Sequence, residues 1–334
     1  MTATLRDCVY GQAIGDALGV PFEFRPRDSF ECSDMIGYGT HRQPAGTWSD
    51  DTSMALAICD SYRELGRIDT DDIRKRFVSW YRDDAYTCDR LFDIGNTTIL
   101  ALKRGTGLSG ERDNGNGSLM RTVPLAFTSA TDDEIRAVSA ITHANRVSTE
   151  ACVDMVHAAC ELIAGATPRD VATAHGVNVN KDRSDIRSGG FVRDTHEAAL
   201  WCLANTESFA ECVLMAVNLG DDTDTTGAVA GAVNGLFGAG GGMLLLPLLH
   251  RLTDLREHEA FACSVCTMLP LSVVSLVVYW LRGGEFLTAA LPYLAGGALG
   301  GIAAGLLLRR LSAVWLHRAL GALIVWGGLR LLLR

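Results

Sequence analysis

Through roughly the first 230 residues, apolar positions return every three or four places, the period of a helix with one buried face. Leu5, Val9, Ala13 and Ile14 open such a pattern, and Gly15, Asp16 and Gly19 predict its break toward a loop ending at Pro21. Met54, Ile58, Tyr62 and Leu65 repeat it behind an aspartate-rich start. Ile135, Val138 and Ile141 follow Thr131 and Asp132, two residues suited to capping a helix start, and Val153, Val156, Cys160 and Ile163 make a fourth stretch. Strand-like alternation is scarce, and glycine-rich connections such as 105–117 join the periodic segments. The pattern predicts an all-α domain.

From about Ala228 the character changes. Residues 235–249 are glycine-rich and then leucine-rich, and 261–281, 286–308 and 311–333 are nearly uncharged. Each of the last three is about 20 residues long, enough to cross a hydrocarbon layer of roughly 30 Å, and none has the polar face of a soluble helix. They predict three membrane-spanning helices. A further apolar segment, 229–249, is a fourth candidate whose glycines leave it open between a span and a re-entrant loop.

Charge divides the chain at the same place. From Gly235 onward there are eight arginines, no lysine and four acidic residues, whereas the preceding part carries 22 basic and 35 acidic side chains. The break predicts two domains, 1–234 and 235–334. The acidic first part is unsuited to neutralising phosphates along a nucleic acid, so no nucleic-acid partner is expected, but it suits a site that concentrates cations. Its N-terminus lacks a basic segment followed by an apolar run, so no secretory leader is expected. The ten cysteines follow no disulfide framework and read as reduced thiols; Cys263 and Cys266 form a single CxxC in an apolar stretch, without a second pair to make a zinc site.

Four polar clusters can carry chemistry. Ser49, Asp50, Asp51 and Thr52 open a helix, where such residues taken alone read first as caps for free amides and only second as ion ligands. Asp221, Asp222 and Asp224 stand before a Gly/Ala-rich helix; capping needs one such residue, and three carboxylates so close repel one another unless a cation sits among them. Asn116, Gly117, Ser118 and Met120 lie in a glycine-rich stretch that is either a flexible turn or a cradle for phosphate and ribose. Glu23 follows the sharp exit set by Gly19 and Pro21 as a lone acid in an apolar setting.

The stretches GDALGVPFE, WSDDTSMA, GNGSLMR, the Thr142-His143 step and GDDTDTTGAVAGA, in that order over about 220 residues, resemble the ADP-ribosylglycohydrolase family. The resemblance implies a helical fold around two Mg²⁺ or Mn²⁺ ions and removal of ADP-ribose from a modified protein (at arginine or serine) or small molecule. It implies metal ligation by Ser49, Asp50 and Asp51 from the first triplet and by Asp222, Asp224 and Thr225 from the second. These are hard oxygen donors, which suit Mg²⁺ or Mn²⁺ better than zinc. Ser49 stands where family members often have threonine, and the hydroxyl is kept. Glu23, Asp50 and Asp51 take the catalytic positions, and Asn116, Gly117, Ser118, Met120 and His143 those of ligand contacts. From spacing alone His143 is equally a helix-end histidine.

The segment from Gly235 to Leu249, with Tyr279, Trp280 and the glycine-rich helix beyond, resembles the TauE/SafE family of proposed sulfite and sulfonate exporters, over one of the two similar halves such transporters have. An exporter reading therefore implies a homodimer that supplies both halves. Arg251 and Arg256 lie in one loop, with Arg309, Arg310 and Arg318 around another on the same side, and positive charge faces the cytoplasm. A full first span places the hydrolase-like domain outside; a re-entrant one keeps it in the cytoplasm. The leaderless start and free thiols favour a cytoplasmic domain on a bacterial inner membrane. Three readings stay open: a membrane-tethered hydrolase, half of an anion exporter, and an ADP-ribose-binding module without catalysis.

Overall fold

The structure is a computed structural model that describes residues 3–236. The three expected spans, the CxxC and most of the fourth apolar segment lie outside the described residues. Among the described residues no helix is long and apolar enough to cross a membrane.

The described chain is helical, with isolated bridges in place of strands. The helices run α1 (Leu5–Gly19), α2 (Asp50–Leu65), α3 (Thr70–Asp83), α4 (Asn96–Arg104), α5 (Leu119–Thr122) and α6 (Asp132–Ala140). They continue with α7 (Arg146–Ile163), α8 (Pro168–Ala174), α9 (Val192–Ala204), α10 (Phe209–Val217) and α11 (Thr223–Gly235). Their starts follow local chemistry. Thr4 and Asp7, and again Thr131 and Glu134, form reciprocal capping boxes at α1 and α6. Ser49, Asp69, Asn145, Thr167 and Ser208 cap α2, α3, α7, α8 and α10 through their side chains. The expected helices at 54–65, 135–141 and 153–163 are therefore present, the last beginning earlier, at Arg146.

The first helix departs from expectation. It continues through Gly15 and Asp16 to Gly19, because these glycines serve a crossing and not a turn. Gly11, Gly15 and Gly19 face Gly231, Gly227 and the start of α11; a Cβ at Gly15 would sit 1.9 Å from the Gly227 carbonyl oxygen, and one at Gly11 2.1 Å from that of Gly231. Two backbones approach this closely only where no side chain intervenes. As a result α11 runs through the centre of the domain with all thirteen of its residues buried. Trp80, Phe77 and Ile73 of α3 pack with Met54 and Ile58 of α2 in the main apolar core, which extends through Leu119, Ile135, Met155 and Leu200. Gly15→Ala should overpack this crossing and lower stability by about 2–3 kcal/mol. Chemical denaturation of the variant beside the parent measures it, and an unchanged midpoint would show that the crossing has slack.

Candidate functional site

The glycine crossing brings the end of α1 beside the starts of α2 and α11. Asp16, near the end of α1, is fully buried and accepts bonds from the backbone amide of Ser49 (2.8 Å), the amide of Thr52 (3.1 Å) and the Thr52 hydroxyl (2.6 Å). It thus supplies, from another helix, the acceptor that the first amides of α2 need. Ser49 caps α2 locally by accepting from the Asp51 amide, and its hydroxyl donates to Asp51 Oδ2 at 2.9 Å. Ser49 therefore serves as the cap its place in the sequence suggests. Gln12 of α1 donates to the Asp51 carbonyl at 2.8 Å and to the Met120 carbonyl at 3.0 Å, tying α1, α2 and α5 into one frame.

At α11 the carboxylates do not cap. Asp222 occupies the cap position without a side-chain bond to the helix amides, and its Oδ2 accepts from Asn116 Nδ2 at 2.8 Å. Asp221 turns outward with φ 60° and is exposed. Thr225 donates to Asp51 Oδ2 at 3.4 Å, joining the two acidic starts.

One oxygen each from Asp16, Asp51 and Asp224 lie within 4.8 Å of one another; a second group with the same closeness joins Glu23, His41, Asp93 and Asp224. Asp224 belongs to both, so two neighbouring positions share a central carboxylate. Asp50 and Asp222 stand outside these two groups while remaining in the same acidic field. Burial raises Asp51 and Asp224 well above the usual carboxylate range, reinforced by Asp16 and Asp222 around the first and by Glu23 and Asp93 around the second. Burial likewise pushes Asp50 up, with Asp93 and Asp51 adding to it, and lifts Asp16 to about 6.

Asp51 Oδ1, Asp222 Oδ1 and Asp224 Oδ2 are buried with no hydrogen-bond partner among the described residues. Buried anionic oxygens left unpaired cost free energy, and a hard cation is the group that takes them without supplying a competing proton. The donor set therefore fits Mg²⁺ or Mn²⁺. His41, Asp93 and Asp16 were not among the residues expected here. Asp16 sits inside the GDALG stretch, where its i,i+3 spacing to Gly19 is its only signal, and Asp93 and His41 sit in loops whose sequence carries none.

Glu23 follows a 3-10 turn at the end of α1 and is 5% exposed. Its loop is pinned to the start of α11: Phe24 N donates to the Asp221 carbonyl at 2.7 Å, and Asp221 N donates to that of Arg25 at 2.8 Å. Phe24 and Asp221 both adopt left-handed backbone, φ 63° and 60°, an unfavourable conformation that this pairing holds in place. Burial raises the Glu23 carboxyl to about 7, although His41, whose Nε2 contacts Oε2, pulls in the other direction.

The glycine-rich stretch is structured. Asn116 N donates to the Gly190 carbonyl at 3.0 Å, and the Asn116 side chain also reaches Thr195 Oγ1 at 2.8 Å. That amide accordingly orients Asp222. Ser118 and Met120 are buried, the former beside Cys152 and the latter in the core, while Gly117 stays partly open. His143 packs its ring against Gly115 and Gly117; burial, with Arg121 nearby, holds its pKa down at about 3.

Residues 2–264 match the family model described as ADP-ribosylglycohydrolase, and residues 223–334 match that described as Sulfite exporter TauE/SafE. Residues 223–235, claimed by both, are the buried helix α11. The chain is 36% identical over 260 residues to the ADP-ribosylarginine hydrolase Tri1 of Serratia proteamaculans, covering 69% of this chain and 71% of that one. It is 30% identical over 247 residues to the ADP-ribosyl-dinitrogen reductase glycohydrolase of Rhodospirillum rubrum, covering 67% and 82%. Among solved structures, an ADP-ribosylglycohydrolase-related protein complex superposes with a TM-score of 0.62 at 31% identity, over 78% of this chain and 95% of that one.

Proposed function

The chain belongs to the ADP-ribosylglycohydrolase family of hydrolases, and from that premise we propose that it cleaves the bond between ADP-ribose and an arginine side chain of a modified protein, in a reaction that needs two divalent cations. The observation that carries this is the pair of close acidic groups sharing Asp224, with three unpaired buried carboxylate oxygens around them. The arginine linkage is supported by relatives named for it at 36% identity in Serratia proteamaculans and Pseudomonas putida. A guanidinium leaving group also suits a site rich in carboxylates.

Asp16, Asp51, Asp224 and Asp93, with Asp50, Asp222, Ser49 and Thr225 beside them, would hold Mg²⁺ or Mn²⁺, which when bound would supply Lewis acidity and lower the pKa of a water. Charge developing on the ribose at the anomeric carbon is stabilised by the surrounding carboxylates. Glu23, whose carboxyl burial raises to about 7, moves a proton to the leaving group or from the attacking water, and His41 holds its carboxyl in orientation. Gly117 lets a phosphate approach the backbone, and Asn116 keeps Asp222 turned toward the site.

Residues 235–334 act as a transmembrane domain that tethers the hydrolase, residues 1–234, to the cytoplasmic face of a membrane, a reading supported by the exporter match. One experiment tests activity and tether together. Salt-washed membranes carrying the full chain are incubated with ADP-ribosyl-arginine and ADP-ribosyl-serine peptides, with Mg²⁺, Mn²⁺ or EDTA. Release of ADP-ribose from the arginine peptide, lost in EDTA and lowered about 100-fold by Glu23→Gln, is the expected result. Activity that stays in EDTA would overturn the metal reading, and activity found only in the soluble fraction would overturn the tether.

A further inference from the structure

Arg121 is a guanidinium with no exposed surface and no carboxylate within bonding distance among the described residues. An unpaired buried charge is costly, so its hydrogen bonds must be productive. Nη1 donates to the Gly117 carbonyl at 2.8 Å, and Nη2 donates to Thr142 Oγ1 at 2.8 Å and more weakly to the Val138 carbonyl at 3.3 Å. The flat face lies over the Phe77 ring, 4.7 Å from its centroid. One side chain thus clamps the glycine stretch to the Thr142-His143 step, which lies 21 residues beyond Arg121.

The next link is Thr142 Oγ1, 2.8 Å from His143 Nδ1. Either group could donate in an isolated pair. Here Arg121, which has only protons to give, already occupies an acceptor position of the hydroxyl. Thr142 is fully buried, and Nδ1 is the acceptor its own proton can reach among the described residues. Were Nδ1 protonated instead, the threonine proton would be buried without a partner and a second N–H would point toward the guanidinium's field. The direction of the chain is therefore fixed from guanidinium to hydroxyl to imidazole.

We propose that Arg121 is a positioning residue which, through Thr142, locks His143 as the Nε2–H tautomer, making it a fixed hydrogen-bond donor to an anionic oxygen of the ligand beside Gly115 and Gly117. A Cβ at Gly115 would lie 3.4 Å from Nε2, and one at Gly117 2.9 Å from Cε1, so the ring edge borders the backbone that a phosphate would approach. The imidazole stays neutral across the physiological range, so it offers one proton in one direction and does not compete for cations as a base. The role as ligand donor rests on the ADP-ribose reading; the tautomer does not.

The test uses the full chain, ¹⁵N-labelled at histidine and solubilised in detergent, with the His143 signals assigned by loss in His143→Gln. Two-bond proton–nitrogen correlations at neutral pH should show Nε2 protonated and Nδ1 bare. Thr142→Val, close in shape and without the hydroxyl, should turn this into a mixture of tautomers and weaken ADP-ribose binding about tenfold, and Thr142→Ser should restore both. A protonated Nδ1 in the parent, or a Thr142→Val spectrum with the parent's pattern, would overturn the proposal. If the tautomer is as stated but ADP-ribose does not bind the parent, the relay stands and the ligand reading fails.

Discussion

Asp224→Ala should reduce kcat/KM for release of ADP-ribose by at least about 1,000-fold, equivalent to about 4 kcal/mol of transition-state stabilisation. The size follows from the position of Asp224, which belongs to both close acidic groups. Its loss would remove a ligand from two proposed cation positions at once, whereas loss of Asp16 or Asp93 would touch one. The substitution should be compatible with folding, because Asp224 accepts from the adjacent Thr225 amide, otherwise meets other acids, Asp93 among them, and leaves Oδ2 unpaired. Steady-state kinetics with Mn²⁺ in excess, beside a melting curve, separates the two effects. A variant that keeps its fold and more than about a tenth of the parent activity would remove Asp224 from the metal-holding set.

The same cluster predicts an inverted dependence of stability on pH. With chelator present, the full chain should melt about 5 °C higher at about pH 5.5 than at about pH 7.5. The sign follows from the direction of the shifts. Glu23 is raised to about 7 and Asp16 to about 6, with Asp51 and Asp224 also raised. Between the ordinary carboxylate range, about pH 4, and these higher values the folded chain binds more protons than the unfolded chain, so stability falls as pH rises. His143, held down at about 3, opposes this trend between about pH 5.5 and 6.5 and offsets part of it. Asp154 also has the opposite sign. Burial would raise it, but its contacts with His196 and His175 outweigh that and hold it at about 2, so its contribution is lost only as pH falls below about 4, outside this window.

Saturating Mg²⁺ or Mn²⁺ should reverse the trend and raise the melting temperature at about pH 7.5 by about 10 °C, because the cation binds the ionised carboxylates of the folded state alone. Asp51→Asn should be more stable than the parent in chelator and gain less from the cation. Tryptophan fluorescence reads the transition through Trp80 and Trp201 in the helical core. A parent chain that is more stable at about pH 7.5 in chelator would mean that the acids are compensated by groups other than a bound ion.

Much of the helical framework is written locally. A cap such as Thr131 with Glu134 needs only its own backbone and the next turn, so the amphipathic stretches at 54–65, 135–141 and 153–163 announced themselves. The acidic start at Asp222 stood out for a related reason, whereas the one at Ser49 read by itself as a cap. Several carboxylates side by side are too costly to be a mere cap, and the cost is visible without knowing the partner. The order of five short motifs added the family, and the change in charge and hydropathy near Gly235 falls within residues 223–264, the stretch that both family models match.

What tertiary structure decided lies between segments far apart in the chain. Gly15 reads as a helix breaker because the sequence contains only the entropic cost of glycine; the benefit, contact with Gly227 more than two hundred residues later, exists only in three dimensions. The same holds for Asp16, which caps a helix not its own, and for Asp93 and His41, which join the site from loops. Asn116 looked like a ligand contact and is engaged with Thr195 and Asp222, while Arg121 looked like the end of a motif and links two loops. Periodicity and capping are short-range energies that a sequence displays directly. Close approach, shared burial and hydrogen-bond direction depend on which distant groups meet, and the sequence specifies that meeting only through the folded whole.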